Sequence, residues 1–260
     1  MGRLTNRIAW VTGGGRGIGR AIALEFARDG ADVAVSSRTM AELESVAAEI
    51  GEHGVRAHPV VCDAMSFEDI RGAVAQIEEA LGPIDILVNN AGGGVAVEEG
   101  DLSAAEHDDR SFVANVDLNL FSAYRATQAV LSGMTDRGYG RVINIGSGYA
   151  KRSGGGVAYT AAKHGMIGMT RAMAAEVGRT GVTINCLCPG WTNTQLVNLE
   201  AMAARGNTDV DTVRKRIASE NLQRRILEPD ELGPMAALLA APQSNGITGQ
   251  VISVDGGYKV

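Results

Sequence analysis

A chain of 260 residues with 45% hydrophobic and 21% charged side chains has the composition of a folded soluble domain, not of a disordered segment. A formal net charge of −6, with lysines and arginines scattered along the chain, argues against nucleic acid or anionic lipid as a partner. No run reaches the roughly 18 apolar residues of a membrane span, and none at the N-terminus has the form of a signal peptide, so a cytoplasmic protein is expected.

Short β-branched runs alternate with longer helical patterns. Ile8 to Val11 precedes a predicted helix from Gly17 to Arg28, and Val33 to Val35 precedes one from Met40 to His53. Val60-Val61 is followed by a helix from Phe67 to Leu81. Ile84 to Val88 is followed by a long helix ending near Met134, and Arg141 to Ile145 by a helix from Ala158 to Val177. A strand at Val182 to Leu187, a helix starting near Pro229 and a strand at Gln250 to Val254 complete the series. Seven apolar strands separated by helices imply a single α/β domain with a doubly wound, Rossmann-type parallel sheet buried on both faces. Residues 191–227 break the rhythm with two short helical patterns and no strand, as a lid over a site would.

Ligands of such folds bind at the carboxyl ends of the strands, and the first strand-to-helix turn is the usual phosphate site. Here that turn reads Thr12-Gly-Gly-Gly-Arg16-Gly-Ile-Gly-Arg20. Glycines let the backbone approach a pyrophosphate, and the amides of the following helix attract its charge. Arg16 occupies the place where the second glycine of the common G-x-G-x-x-G fingerprint would fall. The pattern present is G-x-x-x-G-x-G, through Gly13, Gly17 and Gly19. Further along, Tyr159 and Lys163 stand four apart on a predicted helix and therefore share a face. A phenol ordinarily titrates near about 10, so a tyrosine that exchanges protons near neutral pH needs a cation beside it, which Lys163 would supply. Three cysteines, Cys62, Cys186 and Cys188, lack the second ligand pair of a zinc site and read as core thiols in a reducing compartment. His53, His58, His107 and His164 have no ligand spacing, so no metal is expected.

Taken in order, Thr12 to Gly19, the Asn-Asn-Ala-Gly run at Asn89 to Gly92, Ser147 twelve residues before Tyr159-Thr-Ala-Ala-Lys163, and Pro189-Gly190 with Thr194 resemble the single-domain short-chain dehydrogenase/reductase family over nearly the whole chain. The resemblance implies an oxidoreductase moving hydride between a nicotinamide cofactor and a ketone or secondary alcohol. Tyr159 would be the proton donor, Ser147 the residue orienting the substrate oxygen, and Lys163 the holder of the nicotinamide ribose. A fourth residue, an asparagine completing a proton relay through water, has two candidates. Asn119 fits the family context better, in Asn119-Leu-Phe-Ser-Ala-Tyr124, and Asn115 would be a solvated or capping residue. The cofactor would contact Gly13, Gly15, Arg16, Gly17, Ile18 and Gly19 in the first turn. Asp63, closing the third strand, and Ala64 would meet the adenine, Asn90, Ala91 and Gly92 would follow the fourth strand, and Pro189, Gly190, Thr192 and Thr194 would place the carboxamide, alongside Tyr159 and Lys163.

After the second strand the chain reads Val33-Ala-Val-Ser36-Ser37-Arg38, with no carboxylate to accept from the free ribose hydroxyls of NAD(H). Ser37 and Arg38 on one side and Arg16 on the other would clamp a 2′-phosphate, because a guanidinium makes two charge-assisted bonds at once; NADP(H) is the expected cofactor. The tail and lid resemble 3-oxoacyl and polyketide ketoreductases as well as 3-hydroxybutyrate dehydrogenases. Where the latter hold a carboxylate with a lysine, three residues before the tyrosine, this chain has Gly156. A neutral, larger or carrier-linked ketone is therefore expected. A homodimer or homotetramer through the helices near Ala126 and Gly168 is implied by the resemblance. An NAD-dependent alcohol dehydrogenase, an isomerase or dehydratase using the same cofactor, and a non-catalytic dinucleotide-binding regulator are the alternative readings.

Overall fold

The computed structural model describes residues 2–94 and 109–259; His107, expected to be no metal ligand, lies outside the described residues. Seven strands form one parallel sheet in the order β3-β2-β1-β4-β5-β6-β7: β1 Ile8–Thr12, β2 Asp32–Ser37, β3 Ala57–Val61, β4 Ile86–Asn89, β5 Gly140–Ile145, β6 Val182–Pro189 and β7 Val251–Val254. The chain runs outward from β1 to β3, then returns to pair β4 with β1 and runs outward the other way. Strand order thus reverses between β1 and β4, and their carboxyl ends open a crevice there.

Helices cover both faces, and the strands show why. On β1, Ala9 and Val11 point to one side while Trp10 points to the other, and all three are fully buried. Val33 and Val35 on β2, Val88 on β4 and Ile143 on β5 join the first side, packed with Ile22 and Phe26 of α1 (Gly17–Arg28), Leu43 of α2 (Met40–Gly51) and Leu239 of α9 (Gly233–Ala240). Ala34, Leu87, Val142 and Ile184 join the second, packed with Ile70 of α3 (Phe67–Ala80), Val130 of α5 (Ser122–Asp136) and Ala174 of α6 (Val157–Val177). Period-2 alternation with both faces apolar is what a buried parallel sheet demands. Each fully buried Leu, Ile or Val contributes about 1.5–3 kcal/mol, which makes the sheet the rigid platform of the site.

Three differences from the sequence-based expectations bear on the site. The long helix before β5 consists of α4 (Asp109–Val116), a π-helical segment Asp117–Phe121, and α5. Asp63 does not close β3, which stops at Val61; it sits in the next turn, where its carboxylate accepts from the Met65 N–H at 2.9 Å. Ala126, expected near a subunit contact, is buried in the second core, whereas Gly168 is exposed. The lid carries α7 (Leu199–Arg205) and α8 (Val210–Ser219), with a small core of Leu199, Ala203, Val213 and Ile217 against Trp191 and Ile226. It returns to its own base through a parallel bridge between Thr192 and Leu227.

Candidate active site

The β1–α1 turn is held in place by the segment after β4. Thr12 Oγ1 accepts from the backbone N–H groups of Asn90 and Ala91, both at 3.0 Å, and donates to Val88 O at 3.2 Å. The Asn90 amide donates to Thr12 O at 3.0 Å and Gly13 O at 2.9 Å. The Asn-Asn-Ala-Gly run therefore braces the glycine loop from beneath. Asn89 points the other way, donating to Thr127 Oγ1 at 2.9 Å and Asn144 Oδ1 at 2.8 Å, while Asn144 donates to Thr170 Oγ1 at 2.9 Å. This buried polar chain ties β4 and β5 to α5 and α6. Neither the bracing role of Thr12 nor the Asn89–Asn144 chain is visible in the sequence, because the partners stand tens of residues apart.

Above the brace lies a cavity of about 420 Å³ lined by Gly13, Gly15, Arg16, Gly17, Ile18, Ser37, Arg38, Asp63, Ala64, Asn90, Ala91 and Gly92. The loop fits the phosphates of a dinucleotide on three counts. Gly13 and Gly17 have φ of +62° and +55°, the left-handed region that costs glycine nothing. At Gly19 a methyl group would stand 2.3 Å from Gly13 O, so only glycine lets α1 begin this close to the strand. Among the described residues the N-cap Arg16 makes no side-chain bond to the first turn of α1 and no acid lies in that turn, which leaves its amides and the positive end of its dipole for an anion. Next to the loop, Ser37 Oγ accepts from Thr39 N at 3.2 Å, and Arg38 is exposed with no ion pair among the described residues. Arg16 makes an ion pair with Glu42, the third residue of α2, at 3.2 Å. Glu42 is not conspicuous in the sequence, where nothing links it to a loop 26 residues earlier.

An adjoining cavity of about 690 Å³ shares Ile18, Asn90, Gly92, Gly94, Thr194 and Leu196 with the first and is lined by Ser147, Tyr159, Lys163, Pro189, Gly190 and Thr192. Ser147 follows β5 and starts the turn Gly148–Ala150, its Oγ accepting from Tyr149 N at 3.1 Å. Tyr159 and Lys163 come from the first turns of α6, and the Lys163 Nζ lies 5.7 Å from the Tyr159 ring centre. Lys163 is 4% exposed and donates to Ile145 O at 2.9 Å. Asn119 sits fully buried in the π-helical segment, accepting from Gly93 N at 3.0 Å and donating to Gly93 O at 2.8 Å and to Asn115 O at 3.0 Å. A methyl group on Gly92 would stand 2.8 Å from Asn119 Oδ1 and 3.5 Å from Lys163 Nζ, so this glycine lets the two approach. Asn115 is neither solvated nor a cap. It is buried, donates to Ser111 O at 2.9 Å and lines the same cavity, four residues before Asn119 and so on the same helix face.

Aromatic side chains wall the outer part of this cavity. Tyr149 meets Trp191 and Tyr258 edge to face, with ring centres 6.0 and 6.1 Å apart. The Trp191 indole N–H donates to Glu220 of the lid at 2.9 Å, and Lys259 stands 3.8 Å from the same carboxylate. The tail comes home by backbone pairing, Leu222 N to Gly257 O at 3.1 Å and Lys259 N to Glu220 O at 2.8 Å. Burial pushes the phenols of Tyr149 and Tyr258 up, Tyr258 to about 12, which disfavours both as proton donors near neutral pH. Thr194 and Leu196, at the start of the lid, reach over Gly17 and Gly93. Among the described residues no group of His, Cys, Asp or Glu could hold a metal ion, and no helix is long and apolar enough to cross a membrane. The cysteines are buried and free.

The family model described as short chain dehydrogenase matches residues 7–203. The oxidoreductase UcpA of Salmonella typhimurium is 35% identical over 260 residues, covering 99% of this chain and 96% of that protein. The short-chain reductase protein NovJ of Streptomyces niveus is 36% identical, covering 96% and 93%. Among solved structures, an actinorhodin polyketide ketoreductase variant with NADPH is 35% identical and superposes with a TM-score of 0.89, covering 100% of this chain and 99% of the other. Sheet order, glycine turn and the shared cavity of Ser147, Tyr159 and Lys163 agree with that kinship: the chain is an oxidoreductase of the short-chain dehydrogenase/reductase family.

Proposed function

We propose that this oxidoreductase is an NADP(H)-dependent ketoreductase acting on a neutral, bulky or carrier-linked ketone. The observation that carries the substrate class is the charge of the 690 Å³ cavity: among the described residues that line it, Lys163 is the single charged side chain, and it is committed to Ile145 O. A small carboxylate would find no cation there besides Lys163, whose charge is assigned to Tyr159 and the ribose, and burying it unpaired costs several kcal/mol. Gly155 and Gly156 at the rim leave room for a large group, and the walls of Tyr149, Trp191 and Val197 suit an apolar one.

The bound cofactor supplies the hydride for the carbonyl carbon. Tyr159 donates the proton that the carbonyl oxygen takes up, and Ser147 holds that oxygen by donating its hydroxyl hydrogen. Lys163 provides the cation that stabilises the tyrosinate left behind and a donor for the ribose hydroxyls. The Asn119 amide, engaged with Gly93 and Asn115, positions the Gly92–Gly93 backbone beside Lys163, and that is its part in the proton relay. Gly13, Gly15, Gly17, Ile18 and Gly19 cradle the pyrophosphate, Asp63 and Ala64 flank the adenine, and Pro189, Gly190, Thr192 and Thr194 place the nicotinamide. Ser37, Arg38 and Arg16 bind the 2′-phosphate; the absence of a carboxylate on Ser37 and Arg38 and the NADPH in the ketoreductase neighbour support this choice. The exposed Phe112, Val113, Phe121 and Tyr124 of the helices before β5 support a homodimer or homotetramer.

Initial rates with a β-keto thioester, a cyclic ketone and acetoacetate, each with NADPH and NADH, test the reading. A kcat/KM at least about tenfold higher with NADPH is expected, with acetoacetate the poorest substrate. Micromolar KM for acetoacetate would overturn the substrate class, and equal or better turnover with NADH would overturn the cofactor.

A further inference from the structure

The Arg16–Glu42 pair stands where the 2′-phosphate clamp is assigned, and it brings a negative charge into that clamp. A glutamate at the third position of a helix ordinarily folds back onto the N-cap amide. Glu42 does not: the amide of Thr39, the N-cap of α2, is taken by Ser37 Oγ at 3.2 Å, and the Glu42 carboxylate reaches across to the glycine loop, 3.2 Å from Arg16 Nη1. A methyl group on Gly15 would stand 3.3 Å from Glu42 Oε2 and 3.4 Å from Ser37 Oγ, so carboxylate and hydroxyl converge on one point of the loop. Both line the 420 Å³ cavity with Arg16 and Arg38. The side chains of Arg16 and Glu42 are 57% and 33% exposed, so the pair is weak and exchangeable.

We propose that Glu42 is a cofactor-specificity determinant that works against the 2′-phosphate, by holding Arg16 and by its own charge, and so narrows the preference for NADPH over NADH. The inference rests on the 2′-phosphate clamp of the proposed function. A phosphate dianion must draw Arg16 away from Glu42 and sit beside a carboxylate left without its partner. The 2′-hydroxyl of NADH imposes neither demand, and Glu42 is free to accept its hydrogen bond. The effect is a difference between two affinities, with the rest of the cradle common to both.

Dissociation constants of the whole protein, read by tryptophan quenching or calorimetry without substrate, test this. The probes are NADPH, NADH, adenosine 2′,5′-bisphosphate and AMP, against wild type, Glu42→Gln, Arg16→Ala and the double variant. Glu42→Gln is expected to tighten NADPH and the bisphosphate about three- to tenfold and to leave NADH and AMP within about twofold or weaker. In the Arg16→Ala background the gain shrinks, because releasing Arg16 is part of it. An NADPH to NADH ratio in Glu42→Gln within about twofold of wild type, or a shift toward NADH, overturns the role of Glu42. Arg38→Ala reads the clamp separately. Loss of bisphosphate binding there with no Glu42→Gln effect removes Glu42 and keeps the clamp; no loss there removes the clamp itself. Melting temperature monitors the fold of each variant.

Discussion

Around the glycine-loop cavity the floor is backbone: strand ends β1 and β4, the open first turn of α1, and Gly19 and Gly92, which cannot gain a methyl group without collision, with the side chains of Arg16, Ser37, Arg38 and Glu42 along one side. Around the Ser147 cavity the outer walls are side chains, Tyr149, Trp191 and Tyr258, delivered by a turn, a lid and a tail that meet only in the folded chain. The first is rigid because it belongs to the sheet, with Thr12 and Asn90 fastening one strand end to the next. The second is fastened by exposed ion pairs and a few backbone bonds, such as Glu220 with Lys259 and Arg225 with Glu231. Surface pairs of that kind contribute about 0–1 kcal/mol each, so the small core of Leu199, Ala203, Val213 and Ile217 carries more of the fastening than they do. Fixed backbone suits the part of a nicotinamide cofactor that NADH and NADPH share, whereas the choice of cofactor and of substrate falls to side chains, which can vary without disturbing the sheet.

The largest effect is expected inside the Ser147 cavity. Tyr159→Phe keeps the ring and removes the exchangeable proton, so kcat is expected to fall about a hundredfold or more with the cofactor dissociation constant unchanged. A near-normal kcat would reassign the proton donor. On the glycine-loop side, Arg38→Ala is expected to weaken NADPH binding by about ten- to a hundredfold, the loss of a charge-assisted bond of roughly 1.5–3 kcal/mol, without altering the KM for the ketone. A matching change in ketone KM would show the two cavities to be coupled.

On the other side, Trp191→Phe removes the indole N–H that binds Glu220 at 2.9 Å. A rise in ketone KM of about fivefold is expected, equivalent to roughly 1 kcal/mol, with NADPH affinity unmoved. Weakened cofactor binding would contradict the division.

The smallest effect is at the base of the lid. The side-chain bond from Arg225 holds the Glu231 carboxyl down at about 2, against an ordinary value of 4.5. A depressed folded-state value means that the contribution is fully present above about 4.5 and is lost as the pH falls through about 2. Glu231→Gln is therefore expected to lower the melting temperature by no more than about 2–4 °C at neutral pH, corresponding to at most about 1 kcal/mol at this exposed site. The gap from wild type should close as the pH is lowered from about 4.5 toward 2. A constant gap across that range would assign the effect to the turn at Pro229–Leu232 instead of the charge.

Much of the fold was readable because its signals are local. Seven apolar runs, the glycine turn and the spacing of Ser147, Tyr159 and Lys163 each lie within a few turns of chain, and strand pairing then brings them to one crevice. What escaped notice depends on how distant segments pack. Glu42 is an ordinary helix-start acid until the fold sets it against Arg16. Asn115 reads as a solvated or capping residue because the sequence does not show which helix face the fold covers; packing buries it one turn from Asn119, on the same face. Tyr258 and Glu220 have no motif; tail and lid meet through Leu222, Gly257 and Lys259.

Residue order was sufficient for the parallel sheet, the phosphate turn and the family's Ser-Tyr-Lys spacing, because alternation, glycine conformation and helical periodicity are properties of neighbours along the chain. Which carboxylate faces the arginine of the glycine loop, how Asn119 is held beside Gly92, and which aromatics close the outer cavity came from contacts between distant segments. Those contacts are side-chain meetings selected by packing of the whole domain, and no local pattern encodes them.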